Sequence, residues 1–299
     1  MENFVYQYLD ILQNIQNYND ITYIEENKQV NKIVHLHECI FWLEIHYPYQ
    51  FSHQIISNKN LFNDVRKNGY LNGNTKNILK DEENDEYILY NGNKVYIIND
   101  NPDSLMWTLI LLYIEMHKNS PHNYGNYISY LHNKIKPNKK NIVVDCGSSE
   151  GIFEILVANN YDISDILFVC IDPETQWNHP LSKTLNELGA NYIIVNEYIN
   201  EENTLANILE KNNLDPNDVI CIKADIEGAE IDLINGFVNY LNNNPLCIIC
   251  TYHNQDDAID LYNIFENYYK NIEFSKGYLL PLIGELKYPY YRKALIITH

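Results

Sequence analysis

The sequence predicts an α/β fold, with a mostly parallel seven-stranded sheet, helices on both faces and a smaller, mainly helical N-terminal region. Five apolar runs of strand length alternate with helical segments after residue 140, and two further apolar runs follow near the end. Strands spaced in this way need crossover helices, so the five should lie parallel. The last two are expected to close the sheet as an antiparallel pair.

Composition excludes several classes of partner. The 299 residues carry a formal net charge of −19, with 40 acidic and 21 basic side chains. Proteins that bind nucleic acid or anionic membranes need clustered Lys and Arg, so neither is expected as a partner. The first residues lack a leader pattern, and no apolar stretch reaches the roughly 20 residues that a bilayer requires. We therefore expect a cytoplasmic protein, and the sequence is compatible with a homo-oligomer.

Residues 1–120 form the predicted N-terminal region. Residues 1–80 are asparagine-rich and helical in pattern, and Asn91-Gly92-Asn93 separates two strand-like runs at 87–90 and 94–98, which indicates a hairpin. A buried helix is predicted at 105–118, and a second helix follows at 127–135. We expect this region to cover the strand ends and shape an acceptor pocket.

Residues 121–299 hold the predicted sheet. The five parallel strands are predicted at 142–145, 166–172, 192–196, 219–225 and 246–251, and the closing pair at 272–282 and 293–297. Five of the six cysteines fall inside apolar runs, as expected of reduced, buried thiols.

A glycine turn after the first strand predicts a cofactor site. Asp145 ends the strand, and Gly147, Ser148, Ser149 and Gly151 form the turn into a helix whose amides point at a ligand. The turn lacks the third glycine of a dinucleotide fingerprint, and its acid opposes a pyrophosphate. A carboxylate here favours a ligand with a cationic end, which points to S-adenosyl-L-methionine (SAM) rather than NAD.

Polar residues also end the following strands, at the edge where ligands bind in open α/β sheets. Asp172 lies about 20 residues after the turn, where an acid binds ribose hydroxyls, and Asn196 suits the adenine edge. Asp225, Glu227 and His253 follow the fourth and fifth strands. A nucleoside cofactor explains this series better than a purely structural role.

Four segments together resemble the FkbM family of SAM-dependent methyltransferases: VVDCGSSEG at 143–151, IDP at 171–173, CIKADIEGAE at 221–230 and YH at 252–253. The resemblance covers about residues 125–299. It implies a class I methyltransferase fold and methyl transfer to a hydroxyl, commonly on a sugar or polyketide-like product. The family usually has asparagine at Ser149, often glutamate at Asp172, and often a glutamate at Thr251, which leaves the acceptor side open.

His253 is the first candidate for the general base, since an ordinary histidine pKa near 6.5 suits neutral pH. Asp225 and Glu227 have three open roles: binding the cofactor's amino end, acting as base, or holding a divalent cation. Glu227 is also a candidate helix cap. Glu230 is expected to face solvent or to pair with Lys223. A small molecule or saccharide is the expected acceptor, and the alternatives are an NAD-dependent oxidoreductase and a non-catalytic nucleoside-binding scaffold.

Overall fold

The computed structural model describes residues 78–99, 108, 111–112, 116, 122–137, 139–276 and 292–299, and two short paired strands, β1 (Ile24–Glu25) and β2 (Lys28–Gln29). Apart from that pair and residues 78–80, the helices predicted in residues 1–80 lie outside the described residues. Of the helix predicted at 105–118, only residues 108, 111, 112 and 116 are described. Thr108, Leu112 and Met116 are buried, as that prediction requires.

A three-stranded sheet confirms the predicted hairpin and extends it by one strand. Its strands are β3 (Leu79–Lys80), β4 (Glu86–Tyr90) and β5 (Asn93–Tyr96). Asn91 and Gly92 have φ values of 50° and 86°, the positive values that a two-residue hairpin turn with matching twist requires.

The main sheet has the predicted seven strands. They are β6 (Asn141–Cys146), β7 (Ile166–Ile171), β8 (Asn191–Val195), β9 (Val219–Ala224), β10 (Leu246–Cys250), β11 (Ile272–Phe274) and β12 (Leu295–Thr298). Their spatial order is β11-β12-β10-β9-β6-β7-β8, and β12 runs antiparallel to both of its neighbours. Strands β6 to β10 pair in parallel, which confirms the predicted fold class.

Five α-helices follow the strands in the described part of the chain: α1 (Ile152–Ala158), α2 (Asn178–Glu187), α3 (Leu205–Lys211), α4 (Glu230–Asn235) and α5 (Asp257–Phe265). The sheet separates two apolar cores. Val143 of β6 belongs to one, and its neighbours Ile142 and Val144 belong to the other. Because both faces are covered, the central strands read as continuous apolar runs without polar alternation.

The three-stranded sheet packs against α2. The backbone amide of Tyr96 donates to Thr184 Oγ1 at 3.1 Å, and Lys94 pairs with Glu187 at 2.7 Å. Lys183, also on α2, pairs with Asp81 at 2.8 Å and with Asp85 at 3.0 Å. These contacts fix the hairpin on the flank of the main sheet.

The helix predicted at 127–135 is a 3₁₀ helix, Ile128–Asn133, preceded by a shorter one, Tyr124–Asn126. The five cysteines of the described strands are buried free thiols, as predicted. Across the described residues, every helix is too short or too polar to cross a bilayer.

Candidate functional site

The glycine turn after β6 brings two strand ends into contact. Gly147 has φ 78°, and a Cβ built on it would lie 2.0 Å from the carbonyl oxygen of Asp225. Only glycine allows this approach, so Gly147 sets the distance between the ends of β6 and β9. Gly151 has φ 86° and begins α1, where an added Cβ would meet Leu181 Cδ1 at 3.0 Å.

Ser149 and Asp172 link the turn to the end of β7. The amide of Ser149 donates to Asp172 Oδ2 at 3.2 Å, while Asp172 Oδ1 accepts from the amide of Glu174 at 2.9 Å. Ser149 has φ 42°, a left-handed conformation that asparagine adopts more readily than serine. This chain therefore holds a left-handed position with a residue that is less suited to it than asparagine.

Asp145 forms a buried ion pair with Lys223. Lys223 Nζ lies 2.8 Å from Asp145 Oδ1 and donates to the Gly147 carbonyl at 2.7 Å. Burial raises the pKa of Asp145 to about 6, against the opposing effect of Lys223. Burial acts to lower the pKa of Lys223, but the charges of Asp145 and Asp225 hold it above its ordinary value. The carboxylate at the turn is therefore largely neutralised, so its charge favours a cationic ligand less than the sequence suggests.

The turn opens into a cleft between the ends of β6 and β9. Its lining includes most of the residues predicted from the turn and the fourth strand, namely Asp145, Gly147, Ser148, Ser149, Asp225 and Glu227, together with Leu111, Tyr124, Glu150, Ile152, Phe153, Trp177 and Lys223. Asp145 Oδ2 and Ser148 Oγ are buried and make no hydrogen bond within the described residues. Unsatisfied buried polar atoms beside a glycine cradle are what a bound polar ligand leaves when it is absent, so these residues fit SAM.

Asn196 lies at the edge of this region. Its side chain donates to the Asp172 carbonyl and exchanges hydrogen bonds with Asn178, each at 2.8 Å. Asn196 therefore lies beyond the end of β8 and beside Asp172. Its role in binding stays a prediction.

Asp225 is the centre of a side-chain network. Tyr124 donates to its Oδ2 at 2.8 Å and Tyr252 to its Oδ1 at 2.9 Å, while Nε2 of His122 and of His253 each lie 3.3 Å away. Burial acts to raise the pKa of Asp225, but His122 when protonated, together with His253 and Lys223, holds it well below its usual range. Asp225 is therefore a stable anion and a weak proton acceptor.

His253 is held between carboxylates. Its Nδ1 lies 2.8 Å from Glu230, and its Nε2 faces Asp225 and, at 3.7 Å, Glu227. Burial acts to lower its pKa, but Glu230 and then Asp225 raise it to about 9. The sequence predicts a histidine with an ordinary pKa near 6.5, whereas this one is protonated at neutral pH.

Glu230 differs from its predicted role. It is completely buried, bonds to His253 rather than Lys223, and accepts from the amides of Ile226 and Gly228 at 2.9 and 3.1 Å. Glu230 thus satisfies the amides of the loop before α4, a task that the sequence offered to Glu227. The side chain of Glu227 is 84% exposed.

Arg292 fixes the loop that carries His253. Its Nη1 donates to the carbonyls of Tyr252 and His253 at 2.6 and 2.5 Å, and Thr251 Oγ1 donates to the Lys293 carbonyl at 2.8 Å. Thr251 replaces the glutamate common in the family pattern, and here it joins the loop to the chain before β12.

The acid pair proposed for a divalent cation does not form a compact donor set. Among the described residues, the groupings that include Asp225 join it to His122 and Cys250, or to Glu230 and His253. His122 Nε2 lies 3.3 Å from Cys250 Sγ, and burial raises the pKa of that thiol to about 12. These side chains contact one another directly, since His122 Nε2 also lies 3.3 Å from Asp225 Oδ2.

His122 and Tyr124 are functional candidates that the sequence did not indicate. They precede β6 by about 20 residues, in a segment without a motif. Asn123 holds their loop in place, since its side chain donates to the Met116 carbonyl at 2.8 Å and accepts from the amide of Gly125 at 2.8 Å. By itself, the triplet His122-Asn123-Tyr124 before a predicted helix does not indicate a catalytic or binding role.

Comparison with known proteins gives one family and several distant folds. Residues 77–274 match the model of the methyltransferase FkbM domain. No curated protein matches the chain.

Similar solved structures include methyltransferase FkbM from Methylobacillus flagellatus, with 17% identity, 64% of this chain and 53% of that chain covered, and a TM-score of 0.40. A SAM-dependent O-methyltransferase from Thermotoga maritima has 10% identity, covers 58% and 64%, and has a TM-score of 0.36. Precorrin-6y C5,15-methyltransferase from Geobacter metallireducens has 12% identity, covers 58% and 87%, and has a TM-score of 0.36.

The structural likenesses are too distant to identify a substrate. The family match covers more than half of the chain and includes the glycine turn, Asp225 and His253. The chain therefore belongs to the FkbM family of SAM-dependent methyltransferases.

Proposed function

We propose that this protein transfers the methyl group of SAM to a hydroxyl oxygen of a small molecule or glycan, such as a sugar or a natural product. The observation that carries the proposal is the position of Asp225. It lies against the glycine turn on one side and accepts hydrogen bonds from two tyrosine hydroxyls on the other. A polar, uncharged acceptor suits such a set of hydroxyl, imidazole and carboxylate groups.

The cofactor half of the site has a residue for each part of SAM. We assign the ribose hydroxyls to Asp172, the adenine side to Asn196, and the amino-acid end to the turn, where Asp145 Oδ2 and Ser148 Oγ have bonding capacity left. When bound, SAM supplies an electrophilic methyl group on a sulfonium sulfur. The protein's task is then to orient the acceptor oxygen and to take its proton.

The three predicted catalytic residues differ in their fitness as bases. His253 is protonated below about pH 9, so it forms an ion pair with Asp225 at 3.3 Å and is a poor base at neutral pH. Asp225 holds the hydroxyls of Tyr124 and Tyr252 in place beside the cleft, and its low pKa makes it a weak base. Glu227 is exposed at the mouth of the cleft, where it can contact an acceptor but is solvated.

The N-terminal region supplies part of the cleft wall. Leu111 lines the cleft, and Thr108 hydrogen-bonds to Glu150 of the turn. We therefore propose that residues 1–120 shape the acceptor pocket. A divalent cation is not required by this scheme.

Calorimetry with SAM, S-adenosylhomocysteine and NAD tests the cofactor. Asp172→Ala should weaken S-adenosylhomocysteine binding about 10- to 100-fold, because a charged hydrogen-bond acceptor for the ribose is lost. Lys211→Met on α3, outside the cleft lining, is the matched control and should leave affinity within twofold. Binding of NAD instead of SAM would favour the oxidoreductase and overturn the proposal.

Transfer of tritium from methyl-labelled SAM to pooled sugars, glycosides and polyols tests the acceptor class. Labelled methyl ethers are expected, identified by mass spectrometry. Label in amines alone would overturn O-methylation, and tight SAM binding without transfer to any pool would favour a non-catalytic scaffold.

A further inference from the structure

We propose that the acceptor's proton leaves through Tyr124 to His122, with Asp225 holding the pair, so that a residue pair outside the predicted motifs provides the base. This inference rests on the proposed function and names the proton path within it. Tyr124 is the catalytic residue, because it lines the cleft with Asp225. His122 receives the proton through it.

The geometry places the Tyr124 hydroxyl at a branch point. It lies 2.8 Å from Asp225 Oδ2 and 2.8 Å from His122 Nε2. Its proton can therefore be donated to either partner. His122 Nε2 is itself 3.3 Å from Asp225 Oδ2, so a positive charge formed on the imidazole is directly compensated.

Burial isolates this pair from competing water. His122 is 1% exposed and Tyr124 3% exposed. The Tyr124 ring packs edge-on against His122 and Phe153, with centroid distances of 5.0 and 6.2 Å. A rigid, dry donor–acceptor pair keeps the geometry that proton transfer needs.

The other groups near the cleft are less suited to receive the proton. Two tyrosine hydroxyls and two histidines already surround the Asp225 carboxylate, and both nitrogens of His253 face carboxylates. Glu227 is in water. His122 has a carboxylate 3.3 Å from its Nε2, which stabilises the charged form of the ring.

The atoms balance without another reactant. The acceptor's O–H bond breaks as its oxygen bonds the methyl carbon, and the C–S bonding pair stays on sulfur. The acceptor's proton moves to Tyr124 Oη, while Tyr124's own proton turns from Asp225 Oδ2 toward His122 Nε2 and is transferred to it. Tyr124 ends neutral and His122 becomes an imidazolium beside Asp225, which later loses its proton to water.

The first test is nitrogen NMR of the full chain, labelled with ¹⁵N-histidine and saturated with S-adenosylhomocysteine. His122 is assigned by the resonance that disappears in His122→Gln. We expect neutral His122 at pH 7, with the proton on Nδ1 and Nε2 unprotonated. A proton on Nε2 at pH 7, or stoichiometric zinc bound by His122 and Cys250, would overturn the relay. Failure of S-adenosylhomocysteine to bind would instead contradict the proposed function.

The second test compares two tyrosines that each donate one hydrogen bond to Asp225. With a hydroxyl acceptor found in the tritium screen, Tyr124→Phe should lower kcat about 10²- to 10⁴-fold, with KM for SAM changed less than threefold. Tyr252→Phe removes a matched hydrogen bond without interrupting the path, and should lower kcat less than tenfold. Equal losses in the two variants would contradict the relay.

A pH profile separates proton acceptance from structure. In the wild type, kcat should fall on the acidic side as His122 becomes protonated, and this limb should disappear in His122→Gln, whose lower rate no longer depends on that group. Retention of the same acidic limb in His122→Gln would overturn the assignment. The NMR test needs only the wild type and one assignment variant, so it decides the question if a tyrosine variant does not fold.

Discussion

The two halves of the cleft are built in different ways. On the side that we propose for the cofactor, one short segment provides the turn, and neighbouring backbone amides and the Asp145–Lys223 pair complete it. On the side that we propose for the acceptor, Asp225 contacts side chains from residues 122–124 and 252–253, which lie about 100 residues before it and about 27 after it.

This difference distinguishes a site that local backbone geometry sets from a site that contacts between distant segments set. A glycine turn after a strand works through backbone geometry, so its form is set locally and recurs in many sequences. A network around a carboxylate works through side chains delivered by the fold, so its chemistry varies with each contributing segment. Substitutions in the cofactor half should therefore act through backbone strain or an unpaired charge. Substitutions in the acceptor half should act by changing the protonation of side chains.

The largest expected effect is on the buried ion pair. Lys223→Met leaves Asp145 without its partner and should lower the free energy of unfolding by about 3–5 kcal/mol, measured by urea denaturation. Lys211→Met breaks an exposed pair with Glu197 and should cost under about 1 kcal/mol. Adding Asp145→Asn to Lys223→Met should recover part of the loss. A cost below that of Lys211→Met would show that Asp145 is not charged in the fold.

Backbone geometry in the cofactor half is tested by Gly147→Ala. The added methyl would clash with the Asp225 carbonyl, and alanine disfavours the left-handed backbone at this position. The variant should therefore lose about 3 kcal/mol of unfolding free energy. Gly189→Ala is the control, since Gly189 has φ 66° and nothing within 4 Å of an added Cβ, and should cost about 1 kcal/mol. Equal costs would mean that the two strand ends separate easily.

Protonation in the acceptor half is tested by stability against pH. The pKa of His253 rises from 6.5 to about 9 on folding. The contribution of His253 to the free energy of unfolding is fully present below pH 6.5, falls as the pH rises, and is lost above about pH 9. Calorimetric unfolding should show a loss of up to about 3 kcal/mol across that window from this group.

Two variants identify the source of that loss. His253→Gln should flatten the pH dependence between 6.5 and 9. His179→Gln should leave it in place, since that histidine is 65% exposed. An unchanged slope in His253→Gln would show that His253 is not the group that titrates.

The smallest expected effect is a gain in the cofactor half. Ser149→Asn places a residue that tolerates φ 42° in the left-handed position and should raise the unfolding free energy by about 0.5 kcal/mol. Affinity for S-adenosylhomocysteine should stay within threefold, because the Ser149 amide still reaches Asp172. A loss of stability would mean that the cleft wall has no room for the longer side chain.

The sequence predicted the strands of the main sheet to within a residue at most ends. The exceptions are β12, which begins at Leu295 and not at 293, and β11, whose run was predicted to 282 and ends at Phe274, with residues 277–282 outside the described part. Apolar runs identify strands covered on both faces, and their polar ends identify the binding edge. The hairpin was equally predictable, because Asn91-Gly92 by itself favours a two-residue hairpin turn.

The roles of charged residues were harder to predict. Glu230 and Lys223 lie in one eight-residue motif, yet they point to different partners, His253 and Asp145. His253 looked like an ordinary base because sequence does not show that two carboxylates face its nitrogens. A pKa depends on neighbours in space, and these come from separate strands.

The sequence by itself determined the sheet, the position of the glycine turn and the family, because these follow from apolar periodicity and local backbone geometry. Tertiary structure alone decided which charges are paired, that His253 is protonated, and that His122 and Tyr124 lie against Asp225. These depend on contacts between segments distant in the chain, and no local pattern encodes which side chains a folded sheet edge brings together.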